Sequence, residues 1–206
     1  MNQKFFNLPN EKQKAIIDAG YRVFSENKYK KSPMSEISAE AGISKSLLFH
    51  YFNNKKEFYL YLYDYGTNLI LEVANKESIF NETDFFKLYL QGAKCKLGVF
   101  EKHPYLFSFM VRAYYEDEQE VVADIAQRNS SMIQFRDNNF LRNLDRNKFK
   151  DDIDIEELFN MITWCVEGYM KEKCKGQPLD LNDLEEGYIK MLDFFKRNSY
   201  KEEYLR

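Results

Sequence analysis

The chain has 206 residues, 44% hydrophobic, 31% charged and 17% aromatic, enough for a real core in one or two compact domains. Against 18 Phe and 15 Tyr stand only 8 Gly and 4 Pro, too few turn residues for an all-β fold, so a helical protein is expected. The net charge of -3 hides an asymmetry: residues 1–60 hold 10 Lys and Arg against 6 Asp and Glu, the rest 20 against 27, which suggests a polyanion-binding head on an acidic body.

Asn10 and Gln13 have capping-box spacing, and Ile16, Ile17, Gly20, Val23 and Phe24 keep one helical face to about Asn27. Ser32 and Pro33 read as N-cap and first residue of a short helix that turns Met34, Ile37 and Ala41 inward and stops at Gly42. Ser44 caps a third helix with Leu47, Leu48, Tyr51 and Phe52, and Asn54 with Glu57 opens a longer one through Phe58, Leu62, Leu69 and Val73. Further helical faces run from about Thr83 to Phe100, Pro104 to Tyr115, Glu118 to Leu144, Asp154 to Cys174 and Asp180 to Asn198. His103-Pro104 and Gly176-Gln177-Pro178 punctuate them, and the charged Arg142 to Asp154 stretch is expected to be an exposed loop.

No run reaches the ~20 apolar residues of a membrane span, and Met1 to Asn10 lacks the apolar core of a secretory signal. Cys95, Cys165 and Cys174 show no CxxC spacing, and His50 and His103 lie far apart. A cytoplasmic protein with no metal site and no cofactor is expected. No Gly-rich phosphate loop, GxSxG or HExxH is present, so no catalytic residue is assigned. The Glu116-Asp117-Glu118 run reads as a solvated loop, or as a counter-charge for a cationic ligand.

The informative unit is Pro33 to Phe52: short helix, Ala41-Gly42-Ile43 turn, second short helix. That is helix-turn-helix spacing. Lys45, Ser46, Leu47, Phe49 and His50 fall on or near the outward surface of the second helix, which suits a major groove. Ala15 to Gly20, Phe24-Ser25-Glu26, Met34 to Ser38, Ala41 to Lys45 and Phe49 to Lys55 together make the first sixty residues resemble the tetracycline-repressor (TetR) family. The resemblance implies an all-α protein, with a three-helix helix-turn-helix domain over 1–60 and a helical ligand-binding and dimerisation bundle over 61–206.

By that resemblance, Ser44, Lys45, Ser46 and Leu47 open the recognition helix, where side chains reach bases and phosphates, Tyr51 stands at an aromatic position that often contacts the DNA backbone, and Lys55 adds charge there without reading sequence; His50 is a further candidate DNA contact. The chain departs from the family pattern at Ser46, usually Gly, at Phe49, usually Tyr, and at Leu47, usually smaller. The resemblance also implies a cavity for a hydrophobic or aromatic effector. Candidates to line it are Phe86, Tyr89, Phe107, Met110, Tyr114, Met132, Phe135 and Trp164, although such residues fill cores first. Cys165 and Tyr169, then Leu184, Tyr188, Met191 and Phe195, lie on two C-terminal apolar stripes. In the family such helices pair with their copies, so a homodimer on a palindromic double-stranded operator is expected, with intrachain packing the alternative. A binding module without operator recognition is the competing functional reading.

Overall fold

The computed structural model describes residues 3–140, 143–173 and 180–205; Arg142, Cys174 and the Gly176-Gln177-Pro178 break lie outside them. Among the described residues the fold is all-α, with a single isolated bridge between Phe149 and Tyr200. The chain forms two compact units, one of residues 1–77 and 98–138, the other of 78–97 and 139–206. This division differs from the 1–60 and 61–206 partition read from the sequence. Three helices close a small N-terminal head, but their apolar faces are completed by later helices.

The first unit begins with a helix the sequence reading missed, α1 (Gln3–Phe6), whose Phe5 is fully buried. Helix α2 (Asn10–Glu26) follows. Asn10 does not cap it: the helix starts on Pro9, and Gln13 instead donates its amide to the carbonyls of Leu8, at 2.8 Å, and Phe6. Short α3 (Met34–Glu40) and α4 (Lys45–Tyr51) come next, then the long α5 (Lys55–Lys76). The unit is completed by the end of α6 (Phe85–Lys102), by α7 (Leu106–Tyr114) and by α8 (Val122–Phe140).

One face of α2 buries Ile16, Ile17, Tyr21, Val23 and Phe24. Gly20 lets that face meet α5: a Cβ there would sit 2.6 Å from Leu62 and 2.7 Å from Phe58. Tyr59 of α5 and Phe109 of α7 close the core, Phe24 lying 4.9 Å from Tyr59 and Tyr21 5.2 Å from Phe109, ring to ring. Each such buried aromatic contributes about 1.5–3 kcal/mol by removal from water. The Tyr21 hydroxyl, buried well above its ordinary pKa by desolvation, donates to the Leu62 carbonyl at 2.8 Å.

The second unit packs the first part of α6 with α9 (Ile155–Lys173) and α10 (Leu181–Ser199). The expected exposed loop before α9 is anchored instead. Leu144 and Phe149 are buried, and Phe149 packs edge-on against Phe85 and Tyr200. Lys150 donates its amide to the Ser199 carbonyl, and Lys201 to that of Lys148. Beside this pairing Asp84 accepts from the Lys148 ammonium at 2.8 Å and caps α6 through the Lys87 amide. A charge-rich stretch with two buried apolar residues is thus held by a strand-like contact that periodicity cannot show.

Candidate nucleic-acid interface

The helix-turn-helix forms because its turn has the one residue it needs. Gly42 takes φ +65°, a left-handed conformation that costs other residues about 1–2 kcal/mol, and Ile43 returns its amide to the Ser38 carbonyl at 2.9 Å. Ile37 is fully buried in the angle, and Ile43 is half-buried. Ser32 is not the cap of α3; its buried hydroxyl donates back towards the end of α2, nearest the Lys28 carbonyl at 3.1 Å. Arg22 ties α2 to α3 through Glu40 at 2.8 Å and Glu36 at 3.4 Å.

Ser44 caps α4, its hydroxyl accepting the Leu47 amide at 3.2 Å, and Asn54 caps α5 through the Glu57 amide at 2.8 Å. Ser44, Lys45, Ser46 and His50 are exposed, and Leu47 and Phe49 half-exposed. Leu48 on the opposite face is fully buried. The Ser46 hydroxyl lies 3.0 Å from that of Ser44, and the Lys45 ammonium stands over the Phe49 ring. One continuous helical surface therefore offers an amine, two hydroxyls, an imidazole and an aliphatic tip to a partner.

Tyr51 and Lys55 are placed otherwise than expected. Tyr51 is buried edge-on to Phe5, so it anchors α4 to α1. Lys55 turns inward: its ammonium donates to the Tyr29 carbonyl and lies 4.4 Å from the Tyr29 ring centre. Burial pushes its pKa down from the ordinary lysine value, against the opposing pull of Glu120, Glu116 and Glu118. Glu116 likewise is no solvated loop residue. It is buried, and its carboxylate accepts the amides of Tyr29, at 2.9 Å, Asp117 and Glu118. Sequence gave no signal for this contact, because the two partners are 87 positions apart.

The aromatic candidates do not converge. Phe86 is buried against Tyr200 in the second unit, to which Tyr89 and Trp164 also belong. Phe107 is buried against Phe100 in the first. Tyr114, Phe135 and Trp164 are exposed, Trp164 by 66%. Met110 lies in van der Waals range of Gly66, and Met132 lines a groove of about 450 Å³ between α5 and α8. Tyr63, Asp64, Gln127 and Arg128 also line the groove, and Arg128 is ion-paired to Asp64 at 2.7 Å.

Of the residues expected at a subunit contact, Leu184 is buried within the chain, and Tyr188 donates to the Tyr89 carbonyl. Tyr169 lies over Gly187 and donates to the Asp183 carbonyl at 3.0 Å. Met191 and Phe195 are half-buried. Cys165 is exposed, and with Met161, Trp164 and Gly168 it forms an open apolar face on α9; Ile189 and Phe194 are exposed on α10. Met161, Ile189 and Phe194 were missed because periodicity marks apolar positions, not which of two apolar faces is covered.

Residues 16–62, from the core of α2 to the second turn of α5, match the family of bacterial regulatory proteins named tetR. Over 90% of this chain and 96% of its own, the transcriptional repressor AcnR of Corynebacterium glutamicum is 20% identical. Its helix-turn-helix domain is that of the tetR family. A TetR-family chain is a DNA-binding transcriptional regulator rather than an enzyme, as the helix-turn-helix and the missing catalytic motifs led us to expect. The fold is shared with SmeT, repressor of the Stenotrophomonas maltophilia multidrug efflux pump SmeDEF, at TM-score 0.71, 16% identity and 94% of each chain. It is shared too with the ketosteroid regulator KstR2 of Mycobacterium tuberculosis, at TM-score 0.66 and 17% identity over 95% of this chain and 98% of that one. Among the described residues, no helix is long and apolar enough to cross a membrane.

Proposed function

We propose that the protein is a homodimeric repressor that places α4 in successive major grooves of a palindromic operator and is released by a hydrophobic small molecule. The observation that carries this reading is the exposed face of α4, where Ser44, Lys45, Ser46, Leu47 and His50 stand together on a capped, rigidly seated helix. Lys45 and the Ser44 and Ser46 hydroxyls suit phosphates and base edges, and Leu47 suits a thymine methyl. Tyr51 and Lys55 serve by fixing the helix, not by touching DNA.

Two-fold symmetry is supported by the open apolar face of α9 and by Ile189 and Phe194 of α10, which a second copy would cover. An effector acts by binding one dimer geometry better than the other. Its entry point is proposed near Met110 and Met132, on helices packed against α5, the helix that leaves the reading head. The name of SmeT, which concerns a multidrug efflux pump, and that of KstR2, which concerns ketosteroids, are consistent with a lipophilic effector class.

The test is fluorescence anisotropy of the full chain on tiled duplexes from DNA upstream of its own gene, titrated with salt. Binding to one palindromic fragment at least about 1,000-fold tighter than to the others is expected. Equal, weak binding to every fragment together with binding of small hydrophobic molecules would favour a ligand-binding module without an operator.

A further inference from the structure

Three of the lysines that flank the reading helix in the chain, Lys28, Lys55 and Lys56, are already occupied. Lys28, ahead of the helix-turn-helix, meets both carboxylate oxygens of Asp117 at 3.1 Å. Lys56, just past the recognition helix, meets Asp124 at 2.7 Å. Lys55, next to Lys56 in the chain, is committed to Tyr29 and lies in the field of Glu116, Glu118 and Glu120. The segment from the end of α7 into the first turn of α8 thus lays a row of carboxylates against the basic side of the head. A carboxylate makes with an ammonium the same charge-assisted hydrogen bond that a phosphate oxygen makes. Duplex DNA sets phosphates on both banks of the groove that α4 is to enter, where flanking lysines would meet them.

We propose that Asp117 and Asp124 are specificity-determining residues for DNA binding: by occupying Lys28 and Lys56 in the free protein, they withhold both lysines from phosphates and keep the affinity for unrelated DNA low. The inference rests on α4 being the DNA-reading helix. Sequence-independent affinity comes almost entirely from phosphate neutralisation, so every withheld lysine lowers it, while contacts of α4 to base edges are untouched. The pairs are graded. Lys28 and Asp117 are 63% and 74% exposed, Lys56 and Asp124 only 37% and 33%, so the second pair competes more strongly. Each lysine holds its partner carboxyl below the usual aspartate range, so both carboxylates are charged at neutral pH. These are competitors and not locks: an exposed ion pair yields to phosphate at the cost of a few-fold in affinity.

The experiment uses the full chain and a short duplex of unrelated sequence, read by fluorescence anisotropy across a salt series. Asp124→Asn should tighten binding a few-fold and steepen the log–log salt slope by about 0.9, the value for one lysine newly placed on a phosphate. Asp117→Asn should act in the same direction and less. Lys56→Gln should do little in the native chain but cancel the gain in the Asp124→Asn background, and the exposed Glu101, when changed to Gln, should leave the slope alone. That pattern distinguishes competition for a lysine from a general loss of negative charge. Strictly additive effects of Asp124→Asn and Lys56→Gln, or an unchanged slope in Asp124→Asn, would overturn the proposal. A native chain that binds no duplex at low salt would instead remove the DNA reading itself, and the inference with it.

Discussion

Tyr29 is gripped at both ends of its own backbone: Lys55 donates to its carbonyl, and Glu116 accepts from its amide. Residue 29 leads directly into the helix-turn-helix, so two side chains far away in sequence hold the entrance to the reading head. Removing the carboxylate strands three amides, and Glu116→Ala should cost about 1–3 kcal/mol, with Glu116→Gln losing less because one acceptor oxygen remains. At about 2–4 °C per kcal/mol for a chain of this size, thermal denaturation resolves the two variants. An Ala variant that melts with the native chain would refute the grip. On the reading face, Lys45→Ala should weaken binding to all duplexes alike and shallow the salt dependence, whereas Leu47→Ala should change which fragment is preferred. Selection of the same fragments by both variants would contradict these roles.

Helices meet here through single residues that permit close approach or correct termination. Ser44 begins α4, and Ser44→Ala should cost about 1 kcal/mol, whereas Ser44→Asp should keep the cap yet bring a negative charge to the phosphates. The discriminating outcome is a normal melting temperature with poor DNA binding in the aspartate variant alone. In the second unit burial alone would push Asp84 up, but the Lys148 ammonium and the Lys87 amide more than offset this and hold it below the usual aspartate value. Because its folded pKa is lowered, Asp84 adds stability above about pH 4, the ordinary aspartate value, and loses it as pH falls through the folded one. Asp84→Asn should therefore be less stable at neutral pH and converge with the native chain in acid, as denaturant midpoints at several pH values would record. A difference independent of pH would exclude the ion pair as its cause.

For the whole molecule the open question of packing is the apolar surface left on α9 and α10. Trp164 at 66% and Phe194 at 58% exposure are costly to leave in water, and a second copy covering them would bury both. Trp164→Glu with Phe194→Glu should turn a dimer into a monomer in sedimentation analysis while leaving the helical content intact. It should also weaken operator binding far more than binding to unrelated DNA, because two reading helices must engage together. A native chain that sediments as a monomer at micromolar concentration would remove the dimer from the mechanism.

The sequence by itself determined the helical class, the caps at Ser44 and Asn54, the glycine turn at Gly42 and the face of α4 that reads outward. Those are local matters: 3.6-residue periodicity, a hydroxyl or carboxamide oxygen three positions before an amide, a residue without a Cβ where φ is positive. Only the tertiary structure decided that Lys55 and Tyr51 face inward, that Glu116 is buried, that the stretch around Phe149 is anchored, and which C-terminal apolar residues stay uncovered. Each of those depends on a partner brought from tens of residues away, and a charge or a ring has the same local signature whether it meets water, phosphate or another part of its own chain.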